Sequence, residues 1–334
     1  MARQSLIEQL DMAVQAILDK PNAQAPKMDA RLDALVRVAA DLRDLPRQEF
    51  KVLLKIELER RAGMANQNTV AEQDQTKVSP VPKGYHTITP YLVVQDAPAV
   101  IDFMKKTFSA EQTFQAIGSA GGIHAEVRLG DSMLMVGGGG PGLSWRGESM
   151  VTGLHVYVED TDAVYQRALE AGGVSIDKPT DHDYGERGAS VRDQAGNHWY
   201  IATGKGKKYI PEGLRNVNVY LHPRKAEPLI DFLKRAFGAE EIAKYASPDG
   251  VINHAAVKIG DSILEMGEAH GPYQPMPTMF YLYVPNVDEL YRRATEAGGT
   301  SLGKPTDQHY GDRSGGVKDP FGNQWYIATH IKDM

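Results

Sequence analysis

The segment HAEVRLGDSMLMVG at residues 124–137 recurs further along the chain as HAAVKIGDSILEMG at residues 254–267. Three more blocks recur in the same order. They are IDFMKKTFSAEQ (101–112) with IDFLKRAFGAEE (230–241), ALEAGGVSIDKPTDHDYGERG (168–188) with ATEAGGTSLGKPTDQHYGDRS (294–314), and GNHWYIAT (196–203) with GNQWYIAT (322–329). Four blocks in one order indicate an internal duplication, and the fold must be built from its two copies.

Each copy predicts a strand, a helix and three strands, followed by the same order again. In the first copy the alternating segment TITPYLVVQD precedes a helix for which Asp96 is the expected N-cap, and Gly130-Asp131 joins two strands as a tight hairpin. A second helix ends at Gly172-Gly173, where glycine can adopt the left-handed C-cap conformation. The sequence therefore predicts an α+β fold of two tandem domains, each with paired βαβββ modules that form a cupped mixed sheet.

The residues outside the copies follow other patterns. Residues 1–63 carry apolar side chains at helical spacing in three stretches, which predicts a small α-helical region. Residues 64–83 are rich in Asn, Gln, Thr, Ser and Pro and predict a flexible linker. We expect the first domain at 84–204, a second linker at 205–213 and the second domain at 214–334.

The composition excludes several classes of protein. The formal net charge is -6 and no cluster of Lys and Arg suited to phosphate appears, so we expect neither a nucleic-acid nor a membrane partner. The absence of cysteine excludes disulfides, thiolate ligands and thiolate nucleophiles. The segment MARQSLIEQLDMAVQAILDK is interrupted by charges, so it predicts neither a signal peptide nor a membrane span, and we expect a cytoplasmic protein.

Alternation along the strands gives each sheet an apolar face for the helices and a second, mixed face. Aromatic, polar and a few charged side chains on that face are typical of a small-molecule cavity. A solvated face or a contact between domains is the alternative explanation. We predict that the ligand-binding residues on this face are Tyr91, His124, Glu126, Arg128, Met135, His155, Tyr157, Tyr200, Asn218, Tyr220, Lys258, Tyr281, Tyr283 and Tyr326.

Two further patterns predict chemistry. A two-residue turn at Gly260-Asp261 places Ala256 opposite Glu265 and makes His254 the diagonal neighbour of Glu265 on the same face. A histidine oriented by a carboxylate can act as a general base, which makes His254 and Glu265 the candidate catalytic pair, with a purely structural histidine as the alternative.

The repeated motifs YGER and YGDR supply Arg187 and Arg313. A guanidinium fork suits a carboxylate or phosphate group of a ligand, so both arginines are candidate ligand-binding residues. A structural ion pair with a neighbouring acid explains the motif equally well.

The segments ITPYLVVQDAPAVIDFMKKTF, HAEVRLGDS, YGDR and DPFGNQW resemble the vicinal oxygen chelate superfamily, the group of glyoxalase I, bleomycin- and fosfomycin-resistance proteins and extradiol dioxygenases. The resemblance covers residues 84–330 and is greatest to PhnB-like tandem-domain members, with the helical residues 1–63 as an extension. It implies one cavity per domain, often with a divalent metal held by His or Glu on the first and last strands of both modules. The matching positions are Thr89, Met135, Gly153 and Tyr200 in the first copy, and Asn218, Glu265, Met279 and Tyr326 in the second.

One carboxylate among these positions does not make a metal site, so no cofactor is predicted. The leading hypothesis is metal-independent binding of a small organic molecule, in the manner of the superfamily's drug-sequestering members. Two other functions stay open. One is a lyase- or isomerase-type enzyme with its site in the second domain, and the other is a ligand sensor whose residues 5–63 bind a protein partner. The tandem copies could also pair with each other within the chain.

Overall fold

The computed structural model of the protein describes residues 78–118, 120–143 and 145–333. The helical region predicted at 1–63, with its possible protein-binding role, and most of the first linker lie outside the described residues. Val78–Asp333 forms one compact unit. Within it, four helices and sixteen strands are described.

The predicted α+β class is confirmed, because the order β-α-β-β-β occurs four times along the described chain. The first module consists of β1 (Ile88–Val94), α1 (Ala97–Phe108), β2 (Glu111–Ile117), β3 (Ile123–Leu129) and β4 (Ser132–Gly138). The second consists of β5 (Gly153–Tyr157), α2 (Thr161–Glu170), β6 (Val174–Asp181), β7 (Glu186–Arg192) and β8 (His198–Gly204). The third consists of β9 (Val217–Leu221), α3 (Ala226–Phe237), β10 (Glu240–Ala246), β11 (Ile252–Ile259) and β12 (Ser262–Met266). The fourth consists of β13 (Met279–Tyr283), α4 (Val287–Glu296), β14 (Thr300–Asp307), β15 (Asp312–Lys318) and β16 (Gln324–His330).

The helices begin where the sequence supplies a capping group. As predicted, Asp96 caps α1, and its Oδ1 accepts a hydrogen bond from the Ala99 amide at 3.1 Å. Helix α3 is different, because Lys225 at its N-cap makes no side-chain cap, and the buried Glu268 carboxylate accepts from the Ala226 amide at 3.1 Å instead. None of the described helices is long and apolar enough to cross a membrane.

The sixteen strands form two eight-stranded sheets, and each sheet takes one module from each copy. Sheet A has the order β14-β15-β16-β13-β1-β4-β3-β2, and sheet B has the order β10-β11-β12-β9-β5-β8-β7-β6. The two copies meet where antiparallel strands pair, with Thr89 opposite Tyr281 in sheet A and His155 opposite Asn218 in sheet B. The face of each sheet that is turned away from the helices is therefore shared by both copies, whereas the resemblance implied one cavity for each copy.

The helices and the apolar sheet faces form the core. Phe103 and Phe108 of α1 pack on Trp199 of β8, with ring centroids 5.8 Å and 5.1 Å apart. In the second copy Phe237 packs on Trp325 at 4.7 Å. Since α1 belongs to the first module and β8 to the second, this aromatic packing joins the two modules of one copy. Strand pairing joins the copies to each other.

Candidate functional site

Each sheet turns one face away from the helices, and we name these faces site A in sheet A and site B in sheet B. Along β5, Leu154 and Val156 belong to the apolar core, while the alternate residues His155 and Tyr157 lie on the site B face. The predicted alternation therefore selects the side chains that line both sites.

Site B is centred on a buried histidine between two carboxylates. His155 Nδ1 lies 2.9 Å from Glu265 Oε2, and His155 Nε2 lies 3.8 Å from Glu186 Oε2. The three side chains are 12%, 6% and 15% exposed, in the order His155, Glu265 and Glu186. Burial by itself lowers the pKa of His155, but the charge and hydrogen bond of Glu265, together with the charge of Glu186, outweigh it and raise that pKa above its ordinary value. This environment therefore favours the protonated form of the imidazole.

Two tyrosines surround the carboxylates of site B. The Tyr157 hydroxyl donates a hydrogen bond to Glu186 Oε1. Tyr184, in the turn between β6 and β7, is 69% exposed, and partial desolvation together with the nearby charge of Glu186 raises its pKa to about 12. Tyr184 therefore stands on the solvent side of site B, while Tyr157 forms part of its floor.

An uncharged aromatic cluster forms the other end of site B. The Tyr200 hydroxyl lies 2.7 Å from His222 Nε2, and the rings of His222 and Tyr273 are stacked with centroids 5.2 Å apart. Tyr220 packs on Tyr200 with ring centroids 5.2 Å apart. Burial and the neighbouring His198 lower the pKa of His222 to about 4, so this ring is neutral. This end of the site offers aromatic surface rather than charge.

Site A contains a different buried network. Asp312 Oδ2 accepts hydrogen bonds from the hydroxyls of Tyr281 and Tyr283 at 2.9 Å and 3.2 Å, and Asp312 Oδ1 lies 2.8 Å from His330 Nδ1. Asp312 is only 4% exposed. Because three neighbours of the same protein already bond this carboxylate, it has little capacity left for a ligand.

The segment before β1 also enters site A. Tyr85 packs against a cluster that includes Met135 and Tyr283, and its ring meets that of Tyr283 edge to face with centroids 5.5 Å apart. Burial, followed by the charge and hydrogen bond of Glu126, raises the pKa of Tyr85 above its ordinary value. Site A therefore contains a phenol from its own chain, with the Glu126 carboxylate nearby.

The structure gives the two residues of the predicted catalytic pair different hydrogen-bond partners. Ala256 does lie opposite Glu265, as predicted. The Glu265 carboxylate, however, binds His155, and His254 Nδ1 lies 3.4 Å from the Tyr220 hydroxyl. His155 reaches Glu265 because β9 pairs with both β5 and β12, so the second module of copy one lies beside the first module of copy two. The candidate site is consequently shared by both copies and does not belong to the second domain alone.

Several predicted ligand-binding residues do come together on site A. The Tyr91 hydroxyl lies 2.9 Å from His124 Nδ1, and His124 Nε2 lies 3.8 Å from Glu126 Oε1. Most of the other predicted residues of sheet A pack in the adjoining aromatic cluster, namely Met135, Tyr281, Tyr283 and Tyr326. The mixed face predicted from alternation is thus one connected surface here.

Three predicted residues lie outside these clusters. Arg128 forms an exposed ion pair with Glu111 on the edge strand β2. Lys258 is exposed on β11. The Asn218 side chain bonds the backbone of Arg215, accepting from its amide at 3.1 Å and donating to its carbonyl at 2.9 Å. Their positions favour structural or solvent contacts rather than the centre of either site.

The two arginines of the repeated motif connect a strand to a helix. Arg187 bonds both carboxylate oxygens of Asp162, which lies in the first turn of α2. Arg313 bonds Asp288 in the first turn of α4 in the same way, at 2.8 Å for both contacts. Both guanidinium forks are therefore already engaged by carboxylates of the same protein, which agrees with the ion-pair explanation.

Three important residues were not predicted as site residues. Glu186 and Asp312 open β7 and β15, and alternation with Gly188 and Ser190 along β7 would have placed Glu186 on the mixed face. In each of the motifs YGER and YGDR, only the arginine was predicted to bind a ligand. Tyr85 precedes the first strand, where no alternation exists to indicate which way its side chain points.

The residues present do not fit the metal that the superfamily resemblance implies. Regrouped by sheet, the carried-over positions are Thr89, Met135, Met279 and Tyr326 in site A, and Gly153, Tyr200, Asn218 and Glu265 in site B. Among the described residues, no group of three His, Asp or Glu side chains is arranged to hold a metal ion. His155 is close to Glu265, but its raised pKa favours the protonated imidazole, whereas a metal ion requires the neutral form.

Comparison with known proteins gives one family and several structural neighbours. The model of the Glyoxalase/Bleomycin resistance protein/Dioxygenase superfamily matches residues 84–201 and 223–327. An uncharacterized protein of Mycobacterium tuberculosis, Rv0887c, is 34% identical over 120 residues, which is 33% of this chain and 71% of that protein.

Two solved structures share the fold. Glyoxalase I from Zea mays aligns with a TM-score of 0.56 at 15% identity, covering 72% of this chain and 92% of that one. A putative dioxygenase from Bacillus subtilis aligns with a TM-score of 0.51 at 14% identity, covering 77% and 87%. At such low identity the likeness extends to the fold and not to the site.

Proposed function

Because the chain belongs to the Glyoxalase/Bleomycin resistance protein/Dioxygenase superfamily, we propose that it binds a small organic molecule at site B without a metal ion. The buried pair of His155 and Glu265 carries this proposal. Ionised groups inside a protein are costly to desolvate, and their concentration on one face of a sheet is more typical of a functional site than of a structural core.

The pair still has bonding capacity for a ligand. His155 Nε2 and Glu186 Oε2 are 3.8 Å apart, which is longer than a hydrogen bond. A hydroxyl or amine group that approaches both atoms could accept from the imidazole and donate to the carboxylate. Glu265 uses Oε2 for His155 and keeps acceptor capacity on Oε1. Site B can therefore orient a small polar group while the aromatic cluster contacts the rest of the molecule.

Site A supports the same role less well. Its carboxylate Asp312 is bonded by three donors, and Tyr85 fills part of its face. The proposal therefore assigns one ligand site to the chain, although the sequence contains two copies of the domain.

Metal analysis and ligand screening test the proposal together. Elemental analysis of the purified full chain, with calorimetric titration of Zn²⁺, Ni²⁺ and Mn²⁺, should find no stoichiometric metal. A thermal-shift screen of small aromatic and polar compounds should give hits that stabilise the wild type but not Glu265→Met. This variant gives site B the methionine that site A has at the corresponding position, Met135. Met135→Leu, a volume-conserving change in site A, is the matched control and should keep every hit. A stoichiometric metal, or hits that are unchanged in Glu265→Met, would contradict the proposal.

A second candidate function is general acid–base catalysis in site B. The observation that favours it is a buried histidine held between two carboxylates, an arrangement that can move a proton to and from a bound molecule. For any hit that the wild type converts to product, His155→Gln should lower the rate by about 100-fold or more. Conversion at the wild-type rate by His155→Gln would leave binding as the function of the site.

A further inference from the structure

Tyr85 occupies site A through a turn that the chain repeats at the entrance to the other sheet. The sequence GYHTITPY at residues 84–91 corresponds to GLRNVNVY at residues 213–220. The Tyr85 amide donates to the Pro82 carbonyl at 3.1 Å, and the Leu214 amide donates to the Pro211 carbonyl at 3.2 Å. The repeat therefore places Leu214 at the position in sheet B that Tyr85 has in sheet A.

The carboxylate near the Tyr85 phenol also changes position between the two sheets. Glu126 lies opposite Met135 in sheet A, and Ala256 lies opposite Glu265 in sheet B. Sheet B thus has a smaller residue where sheet A has Glu126, and its carboxylate stands one strand further on, at Glu265. Directly opposite residues of antiparallel strands have Cβ atoms about 5 Å apart, so the carboxylate moves by only that distance.

From this pair of exchanges we infer that site B binds the phenol group of a separate molecule, in the place where site A holds the phenol of Tyr85. The inference rests on the proposed function of site B and names the class of its ligand. Leu214 and Ala256 have smaller side chains than Tyr85 and Glu126, and Glu265 Oε1, which does not bond His155, accepts the hydroxyl of the ligand. Tyrosine and histidine rings on the same face supply edge and face contacts for the ligand ring.

The charges of site B discriminate between phenols and related rings. A benzoate would bring a third negative charge to Glu265 and Glu186, which only His155 offsets. A ring without a hydroxyl would remove water from the Glu265 carboxylate and give no hydrogen bond in return. A neutral ring that carries a hydrogen-bond donor satisfies both requirements.

Three fluorinated probes of similar size test this class in the full chain. We expect 4-fluorophenol to bind with one equivalent when followed by ¹⁹F NMR titration. Fluorobenzene and 4-fluorobenzoate should each bind roughly tenfold more weakly or worse, as expected for loss of a hydrogen bond to a charged acceptor. Absence of 4-fluorophenol binding, or equal affinity for fluorobenzene, would overturn the inference.

Exchange of the two entrance residues gives a stronger test. Leu214→Tyr supplies site B with a phenol from its own chain and should abolish binding of 4-fluorophenol. Leu214→Phe fills the same space without a hydroxyl, and it should also block the probe if Leu214→Tyr does not fold. Tyr85→Leu should open site A and raise the stoichiometry to two equivalents. Unchanged binding in a folded Leu214 variant would place the probe elsewhere and overturn the inference.

Glu265→Met separates failure of this inference from failure of the proposed function. If fluorobenzene binds as tightly as 4-fluorophenol and both are lost in Glu265→Met, site B binds ligands but does not select phenols, so only the inference fails. If 4-fluorophenol binding and all screening hits are unchanged in Glu265→Met, both fail. We expect 4-fluorophenol to be lost in Glu265→Met and retained in Met135→Leu.

Discussion

Sites A and B arise from the same repeated modules and share one carboxylate position, Asp312 and Glu186, yet their other polar groups lie in different places. In site A the carboxylate of Glu126 stands on β3 and faces the phenol of Tyr85. In site B the corresponding residues are Ala256 and Leu214, and both polar groups are absent. Sheet B therefore lacks both the carboxylate and the phenol, which is expected because removing only one of the two partly buried groups leaves the other without its partner.

At the centre of each site the difference is the opposite, because there site B has the ionisable side chains. Site A has Met135 and Tyr281, and site B has Glu265 and His155 at the same positions. In sheet B these two residues come from different copies, joined through the pairing of β5 and β9. The difference teaches that the cooperating unit is the sheet and not the sequence copy. A buried charge in one copy is matched by the module of the other copy that lies beside it.

Breaking the central pair of site B should have the largest effect on stability. His155→Ala leaves two carboxylates buried without their cation, so we expect the free energy of unfolding to fall by about 3 to 5 kcal/mol. The double variant His155→Tyr with Glu265→Met gives site B the side chains that Tyr281 and Met135 supply in site A. It should recover most of this loss in stability. Urea unfolding followed by far-UV circular dichroism at pH 7 measures each value.

Site A provides the control for that experiment. Tyr281→Phe removes one of three donors to Asp312 and should cost about 1 kcal/mol, as for a single hydrogen bond. If the changes in unfolding free energy of His155→Tyr and Glu265→Met sum to that of the double variant within about 0.5 kcal/mol, the two side chains are not coupled. In that case the comparison of the two sites loses its main support.

The sequence predicted the local structure of both sites but not the pairing between modules. Asp96 at the start of α1 and the register of Ala256 with Glu265 were predicted correctly, because a cap and a two-residue hairpin depend on neighbouring residues. The pairing of β1 with β13, and of β5 with β9, depends on strands that all alternate alike. Alternation gives the face of a residue and not the neighbour of its strand, so His155 could not be assigned to Glu265.

The pH dependence of stability gives a second, smaller contrast between the sites. The folded pKa of His155 is raised above its unfolded value of about 6.5. The stability that this group contributes is therefore complete below pH 6.5, about the unfolded value, and is lost as pH rises through the folded pKa. We expect the free energy of unfolding to decrease above that pH, by at most about 1.4 kcal/mol per pH unit from this one proton. Urea unfolding between neutral and mildly alkaline pH measures the slope.

Other histidines must be separated from this slope. The pKa of His330 is also raised, by Asp333 and Asp312 against the effect of burial, so it contributes with the same sign. His222, with its pKa lowered to about 4, acts in the opposite direction, and its stabilising effect is lost as pH falls below about 6.5. The double variant His155→Tyr with Glu265→Met keeps both of these groups and should show a shallower alkaline slope than the wild type. Equal slopes would mean that His155 is not charged in the folded protein.

The smallest effects are expected at the two repeated arginines, which lie outside the exchanged positions. Arg187 and Arg313 each connect a strand to the first turn of a helix through an exposed ion pair, and such pairs contribute little in water. Arg187→Gln and Arg313→Gln should therefore shift the urea midpoint little and by equal amounts, and Arg187→Gln should leave 4-fluorophenol binding unchanged. A loss of binding in Arg187→Gln alone would extend site B to this edge of its sheet. Equal and small effects would mean that sites A and B differ only on the sheet faces that carry Glu126 and Glu265.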